Sequence, residues 1–194
     1  MRTDFTPYTS IIIPIDELRD YHDWYPRLVY ILNYTLCYEQ KPRTRSVEYL
    51  FNSKWPNATE FGKVCGVTRQ TASRYLEGLA DFKETKSWNF QRIIDNYLTL
   101  PLEKIDALLK IAANSNARNR SVLIKVGLFF IGQIRSREFL GQSNFSYSVK
   151  QTALAIDENA QEVSKIINIL LDNNVMRRNV VGNAFIQKSS SYSF

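Results

Sequence analysis

The sequence predicts a mainly α-helical protein in two helical halves, the second closing on a small β-hairpin. Three observations carry that expectation. Apolar residues recur at helical spacing along most of the 194 residues. Two short helices joined by a tight turn are written into residues 58–79, and more faintly into 151–171. Residues 175–186 alternate apolar and polar around Gly182-Asn183, a hairpin pattern. The expected division is residues 1–113, a polar linker at 114–119 (Asn-Ser-Asn-Ala-Arg-Asn), and residues 120–194.

Taken in order, Met1–Ile15 reads as an extended arm able to pair as a short strand. Asp16 suits the cap of a helix over Glu17–Tyr25, and Pro26 the first turn of the next. Arg27–Gln40 is apolar nearly all round, which predicts a helix buried in the core or against a second subunit. Lys41-Pro42-Arg43 ends it. Val47, Leu50 and Phe51 share one face of a short helix over Ser46–Trp55, broken by Pro56-Asn57. Helices are also predicted at Trp88–Leu98 and Leu102–Ala113, separated by Pro101. Val122–Phe139 forms another strongly apolar helix. Phe145–Ser148 suits a small strand, Val149–Ile156 and Ala160–Asn173 two helices, and Ser189–Phe194 a disordered tail or a closing strand.

Composition limits the function. Apolar residues make up 44% and charged residues 23%, an ordinary globular balance. The formal charge of +6 favours an acidic partner such as nucleic acid. Cys37 and Cys65 have no paired spacing and are expected as buried, reduced thiols. The single histidine, His22, has no second His or Cys with which to share a metal. No Gly-rich phosphate loop, Gly-x-Ser-x-Gly elbow or His-Glu-x-x-His pattern occurs, so no enzymatic activity, metal or cofactor is expected. No run of about 18 apolar residues predicts a membrane span, and a cytoplasmic protein is expected.

Ala58–Leu79 reads Ala-Thr-Glu-Phe-Gly-Lys-Val-Cys-Gly-Val-Thr-Arg-Gln-Thr-Ala-Ser-Arg-Tyr-Leu-Glu-Gly-Leu. Over about twenty-two residues it resembles the helix-turn-helix unit of bacterial and phage DNA-binding proteins. Gly62 stands where the two helices cross, a place at which the family usually has Ala. Gly66 supplies the positive φ of the turn. Phe61, Cys65, Val67, Ala72, Tyr75, Leu76 and Leu79 face inward, and Thr68 caps the second helix. The resemblance implies that Arg69, Gln70, Thr71 and Ser73 address base edges in the major groove. Thr68 and Arg74, with the loop residues Lys41, Arg43 and Arg45, would then hold phosphates.

In the second motif Ala153 stands ten positions before Val163, as Gly62 stands before Ala72. Ile156, Ile166, Ile167 and Leu170 complete its core set, and Asn159 is the residue expected at positive φ. The alternation at 175–186 resembles the wing of winged-helix domains. Both resemblances together imply two helix-turn-helix-type domains in tandem, the C-terminal one winged. Gln161, Ser164, Lys165, Arg177, Arg178 and Lys188 are the second half's DNA candidates, and its alternative role is to dock a protein partner. Arg118, Arg120 and Lys125 are further phosphate candidates. The aromatic stretch Tyr21–Tyr38 has the spacing of a core or dimer face rather than of a single-strand stacking platform.

The function these readings imply is sequence-specific binding of double-stranded DNA by a homodimer, with Arg27–Tyr38 or Val122–Phe139 as its interface. A transcriptional repressor of a bacterium, phage or plasmid is the leading expectation. A replication-initiation or partition protein binding repeated sites, and a helix-turn-helix adaptor binding only proteins, are the alternatives.

Overall fold

The computed structural model describes residues 9–21, 23–41, 43–91, 97–142, 145–180 and 190–194. The expected fold class is corrected. Of the described residues 58% are helical and 21% lie in strands of three small sheets, so the protein is mixed α and β, not a mainly α tandem of helix-turn-helix domains. No helix among these residues is long and apolar enough to cross a membrane. The chain folds as two units, one drawn from residues 23–95 and the other from 9–22 together with 96–194. Residues 114–119, the expected linker, lie inside the second unit.

The first unit is organised on α2 (Trp24–Tyr34), whose residues from Trp24 to Ile31 are all buried. It starts on Asp23, whose carboxylate accepts from the Tyr25 amide at 3.2 Å. It stops six residues before the predicted end. The Asn33 amide (2.8 Å to the Val29 carbonyl) and the Thr35 hydroxyl donate to carbonyls of its last turns, and the chain then turns extended. β2 (Thr35–Lys41) follows and pairs antiparallel with β3 (Ser46–Phe51), which pairs in turn with β4 (Ser87–Gln91).

The helix predicted at Ser46–Trp55 is strand over Ser46–Phe51, and the described ends of the one predicted at Trp88–Leu98 are strand as well, its middle lying outside the described residues. In β3 the reason is a competition of periods. Val47, Leu50 and Phe51 fit a helical face, but Val47, Tyr49 and Phe51 fit an alternating one. The second set is buried, whereas Leu50 is 42% exposed. Pairing with two neighbours decided between them. Cys65 is buried as expected, but Cys37, on the open side of β2, is exposed.

Tyr30 is the hub of this core, its ring 5.1 Å from Phe51, 6.2 Å from Phe61 and 5.7 Å from Phe82. Phe61 comes from α3 (Ala58–Cys65) and Phe82 from α5 (Ala80–Thr85). Burial, then the neighbouring Tyr34, pushes the Tyr30 phenol up to about 12. Arg27, 1% exposed, is anchored to Asp81 at 2.8 Å and lies over the Phe82 ring. Of the aromatic stretch, Trp24, Tyr25 and Tyr30 on α2 are core, while Tyr21, Tyr34 and Tyr38 are half-buried.

In the second unit the opening arm does pair. β1 (Ser10–Pro14) lies antiparallel to β5 (Tyr97–Pro101), with Ile11 opposite Leu100 and Ile13 opposite Leu98. The helix expected at Glu17–Tyr25 is α1 (Ile15–Asp20), with Pro14 rather than Asp16 at its N-cap. α6 (Leu102–Ala113) leads into the long α7 (Ala117–Phe139), which is buried continuously from Arg120 to Gly132. Gly132 lets β5 lie against it, since a Cβ there would come within 2.5 Å of the Leu98 Cβ. Arg120 is buried and ties the end of α6, donating to the carbonyls of Ala112 (3.0 Å) and Ser115 (3.1 Å).

α8 (Val149–Ile156) and α9 (Ala160–Asp172) follow β6 (Phe145–Ser146). The sheet of this half has the order β6-β8-β7, with β7 at Arg177–Val180 and β8 at Ser191–Ser193. The expected hairpin about Gly182-Asn183 lies outside the described residues. The partner of β7 is the C-terminal segment, whose Tyr192 is buried against Phe130 at 5.0 Å.

Lys125, on α7, is 2% exposed and meets Glu158 at 2.9 Å in the turn between α8 and α9. Removing one member leaves the other charge buried without its partner. Lys125→Met is expected to lower stability in urea denaturation by about 3–5 kcal/mol, and adding Glu158→Gln to recover most of that loss. A double variant as unstable as the single one would show that lost packing, not the ion pair, sets the cost.

Candidate nucleic-acid interface

The site is built from α3, a glycine turn and α4 (Arg69–Glu77). α3 begins in a reciprocal cap. The Asn57 side chain accepts from the Thr59 and Glu60 amides at 3.0 Å each, and Glu60 reaches back to the Asn57 amide at 3.2 Å. It ends at Gly66 with φ 64° and ψ 36°. There the Val67 amide donates to Gly62 at 2.9 Å and the Gly66 amide to Lys63 at 3.4 Å, the double bond of a Schellman turn. Gly62 lies at the crossing. A Cβ on it would sit 3.0 Å from the Val67 carbonyl and 3.4 Å from the Ala72 Cβ, so even alanine would be tight.

Thr68 caps α4 as expected, accepting from the Thr71 amide at 3.3 Å, and its hydroxyl lies 3.0 Å from that of Thr71. These two hydroxyls are therefore engaged with the cap. Phe61, Ala72 and Leu79 are buried, and Val67, Tyr75 and Leu76 half-buried. Arg69, Gln70, Ser73 and Arg74 are exposed together on the outer side of α4. Ser73 lies 3.5 Å from Glu77, the acid of this face. Among the described residues no ion pair engages Arg69 or Arg74.

The other basic candidates divide. Arg43 and Arg45 are exposed at the turn joining β2 to β3, Arg45 at φ 52°. Lys41 is held by Glu48 at 3.0 Å and approached by Glu39 at 3.7 Å, and the Glu48 bond raises its ammonium above the usual lysine value. Lys125 and Arg120 serve the core of the second unit as described above, and the side chain of Arg118 lies outside the described residues.

The second helix pair repeats the first residue for residue. From Gly66 to Asp157, as from Gly62 to Ala153 and from Ala72 to Val163, the offset is 91 positions. The cap Asn57/Glu60 becomes Ser148/Gln151, and Thr68 becomes Asn159. Positive φ falls on Asp157 (52°) rather than on Asn159, which is the N-cap of α9.

The surfaces differ more than the backbones. Where α4 carries Arg69, Thr71 and Arg74, α9 carries Ala160, Glu162 and Lys165, with Glu162 and Lys165 paired at 3.5 Å. Gln161 and Ser164 are exposed on α9, and Arg177 and Arg178 on β7, with Arg178 5.8 Å from the Tyr192 ring. Lys188 lies outside the described residues.

One contact was illegible in the sequence. The Tyr25 hydroxyl, from α2, donates to the Cys65 carbonyl at 2.8 Å, and its ring lies 6.3 Å from that of Tyr75 on α4. A bond spanning 40 residues has no local signal. Of the two expected dimer faces, Arg27–Ile31 and Val122–Gly132 are buried within their own units, whereas Leu36 and Phe139 are exposed. The chain matches no protein-family model, no curated protein and no solved structure.

Replacing Gly66 by alanine puts a Cβ into the left-handed region, with open space around it. Gly66→Ala is expected to cost about 1–2 kcal/mol from backbone strain alone. Asp157→Gly, at the corresponding turn, should stay within about 1 kcal/mol of the wild type. Equal losses in thermal or urea unfolding would show that strain is not what distinguishes the turns.

Proposed function

We propose that this chain binds double-stranded DNA sequence-specifically by laying α4 in the major groove, and that it acts as a transcriptional regulator of the repressor type. One observation carries the reading. α4 begins with Arg69 and has no acidic residue in its first turn, although the positive end of a helix favours an acid there. α3, α5, α6 and α9 carry one, whereas α2, α7 and α8, like α4, do not, and α4 alone of these four starts on an exposed arginine. Two exposed arginines, Arg69 at that end and Arg74 further along, have no carboxylate partner among the described residues and suit a polyanion. Duplex DNA is a polyanion whose groove admits a helix of this size.

In this reading Arg69, Gln70 and Ser73 address base edges, with Arg suited to guanine and Gln to adenine. Arg74 holds phosphate, and Arg43 and Arg45 are further phosphate ligands. Thr68 and Thr71 position the helix through the cap, and Lys41 is withdrawn by its carboxylates. Repression follows simply from such a reader, because occupancy of a promoter is enough to block it. Most readers of this kind bind as symmetric dimers, and a second copy would pair through a surface that the units leave exposed. The repeated helix pair favours one second reading, an initiator or partition protein that covers an array of sites.

The test is selection of bound fragments from random duplex DNA. One enriched palindrome supports the dimeric repressor, and an array of repeats the second reading. No enrichment would overturn DNA reading and leave a protein adaptor. On the enriched site Arg69→Ala and Gln70→Ala are each expected to lose about 1–3 kcal/mol and to relax specificity locally. Arg74→Ala should weaken binding to all sequences alike and reduce the salt slope by about one. Lys41→Ala should leave affinity unchanged, and a loss equal to that of Arg74→Ala would show that Lys41 leaves Glu48 for the DNA.

A further inference from the structure

We propose that Tyr25 is a positioning residue for α4, one that sets base discrimination without touching DNA. The inference rests on the DNA-reading function above. Its starting point is the end of α3. Once the Schellman turn has used the Gly62 and Lys63 carbonyls, the Cys65 carbonyl faces the interior at the last residue before the turn. The Tyr25 hydroxyl meets it at 2.8 Å in a buried setting. The same side chain lies against Tyr75, whose helix carries Arg69 and Gln70 on its outer side. Tyr25 thus touches both arms of the helix pair at once.

It is itself fixed. Tyr25 is 3% exposed, its amide is capped by Asp23, and its helix is anchored in the core through Tyr30. Cys65 and Tyr75 flank Gly66, the residue about which α4 would swing relative to α3. Holding both sides of a glycine turn adds to the two bonds that close it and limits the swing of α4 about Gly66. Bidentate base contacts depend steeply on the angle of that swing, whereas phosphate attraction depends on it little. A small loosening should therefore damage discrimination before it damages binding.

The experiment uses the full chain and its Tyr25→Phe variant, which keeps the ring and removes the donor. Two fluorescent duplexes are titrated: the sequence enriched by the wild type, and a scrambled duplex of equal length. Circular dichroism checks that the variant is folded, and hydrogen exchange follows the amides of Val67–Thr71. Expected are an affinity for the enriched duplex lower by about tenfold, roughly the loss of one bidentate base contact, unchanged affinity for the scrambled duplex, and faster exchange across the turn.

A parallel fall on both duplexes would mean that Tyr25 only supports folding, and no change on either would mean that the turn needs no clamp. Both results overturn the inference and leave the DNA reading intact. A wild type that prefers neither duplex overturns the DNA reading itself, and the inference with it.

Discussion

A helix that ends inside a protein must find partners for its last carbonyls, and in α3 that requirement decides where α4 points. The 2.9 Å bond from Val67 to Gly62 can close only if the chain turns left-handed at Gly66. The same turn brings Thr68 to the cap of the next helix. Gly62 then has to be small, because the Val67 carbonyl and the Ala72 side chain lie against it. Turn, crossing and cap are one geometric solution, and the outer face of α4 is what that solution presents to solvent.

This local logic explains which parts of the fold were legible. α3, α4, α6, α8 and α9 carry their own punctuation, caps at Asn57, Thr68, Ser148 and Asn159 and a proline at 101, so their limits follow from nearby residues. The strands carry no such marks. In Ser46–Phe51 two periodicities share Val47 and Phe51, and only pairing with β2 and β4, the latter some 40 residues along the chain, selects the alternating one. Thr35–Lys41 continues an apolar run that began as helix, with nothing in composition to mark the change. Local sequence names the capped helices and the extended arm of β1, and it misses β2, β3 and β4, which exist because strands elsewhere in the chain accept them.

The site divides along the same line. The outward residues of α4 follow from helical spacing once the helix is known, and the capping role of Thr68 is a local fact. Whether a basic residue is available is not local, because it depends on which carboxylates the fold delivers. Lys41 and Arg43 are near neighbours in sequence, yet pairing of β2 with β3 places Glu48 on Lys41 alone. Lys125 and Arg120 looked like surface charges following a polar stretch, and both are buried with partners. Positive charge in a sequence is thus a poor guide to an anionic partner until the partners already supplied by the fold are removed.

The two helix pairs carry that argument to its end. They share caps, a left-handed turn and small crossing residues at a constant offset, so backbone geometry cannot separate their roles. Surface chemistry does. α9 has Glu162 in its first turn and pairs it with Lys165, an arrangement that stabilises the helix and leaves little field for a polyanion. α4 does the opposite at the corresponding positions, leaving Arg69 against the helix dipole and Arg74 without a carboxylate among the described residues. The place of Arg69 costs the isolated helix about a few tenths of a kcal/mol, which Arg74, in the last turn, partly offsets. A fold that stabilises one helix pair and leaves the other less stabilised at its exposed end separates the two by their surfaces rather than by their backbones.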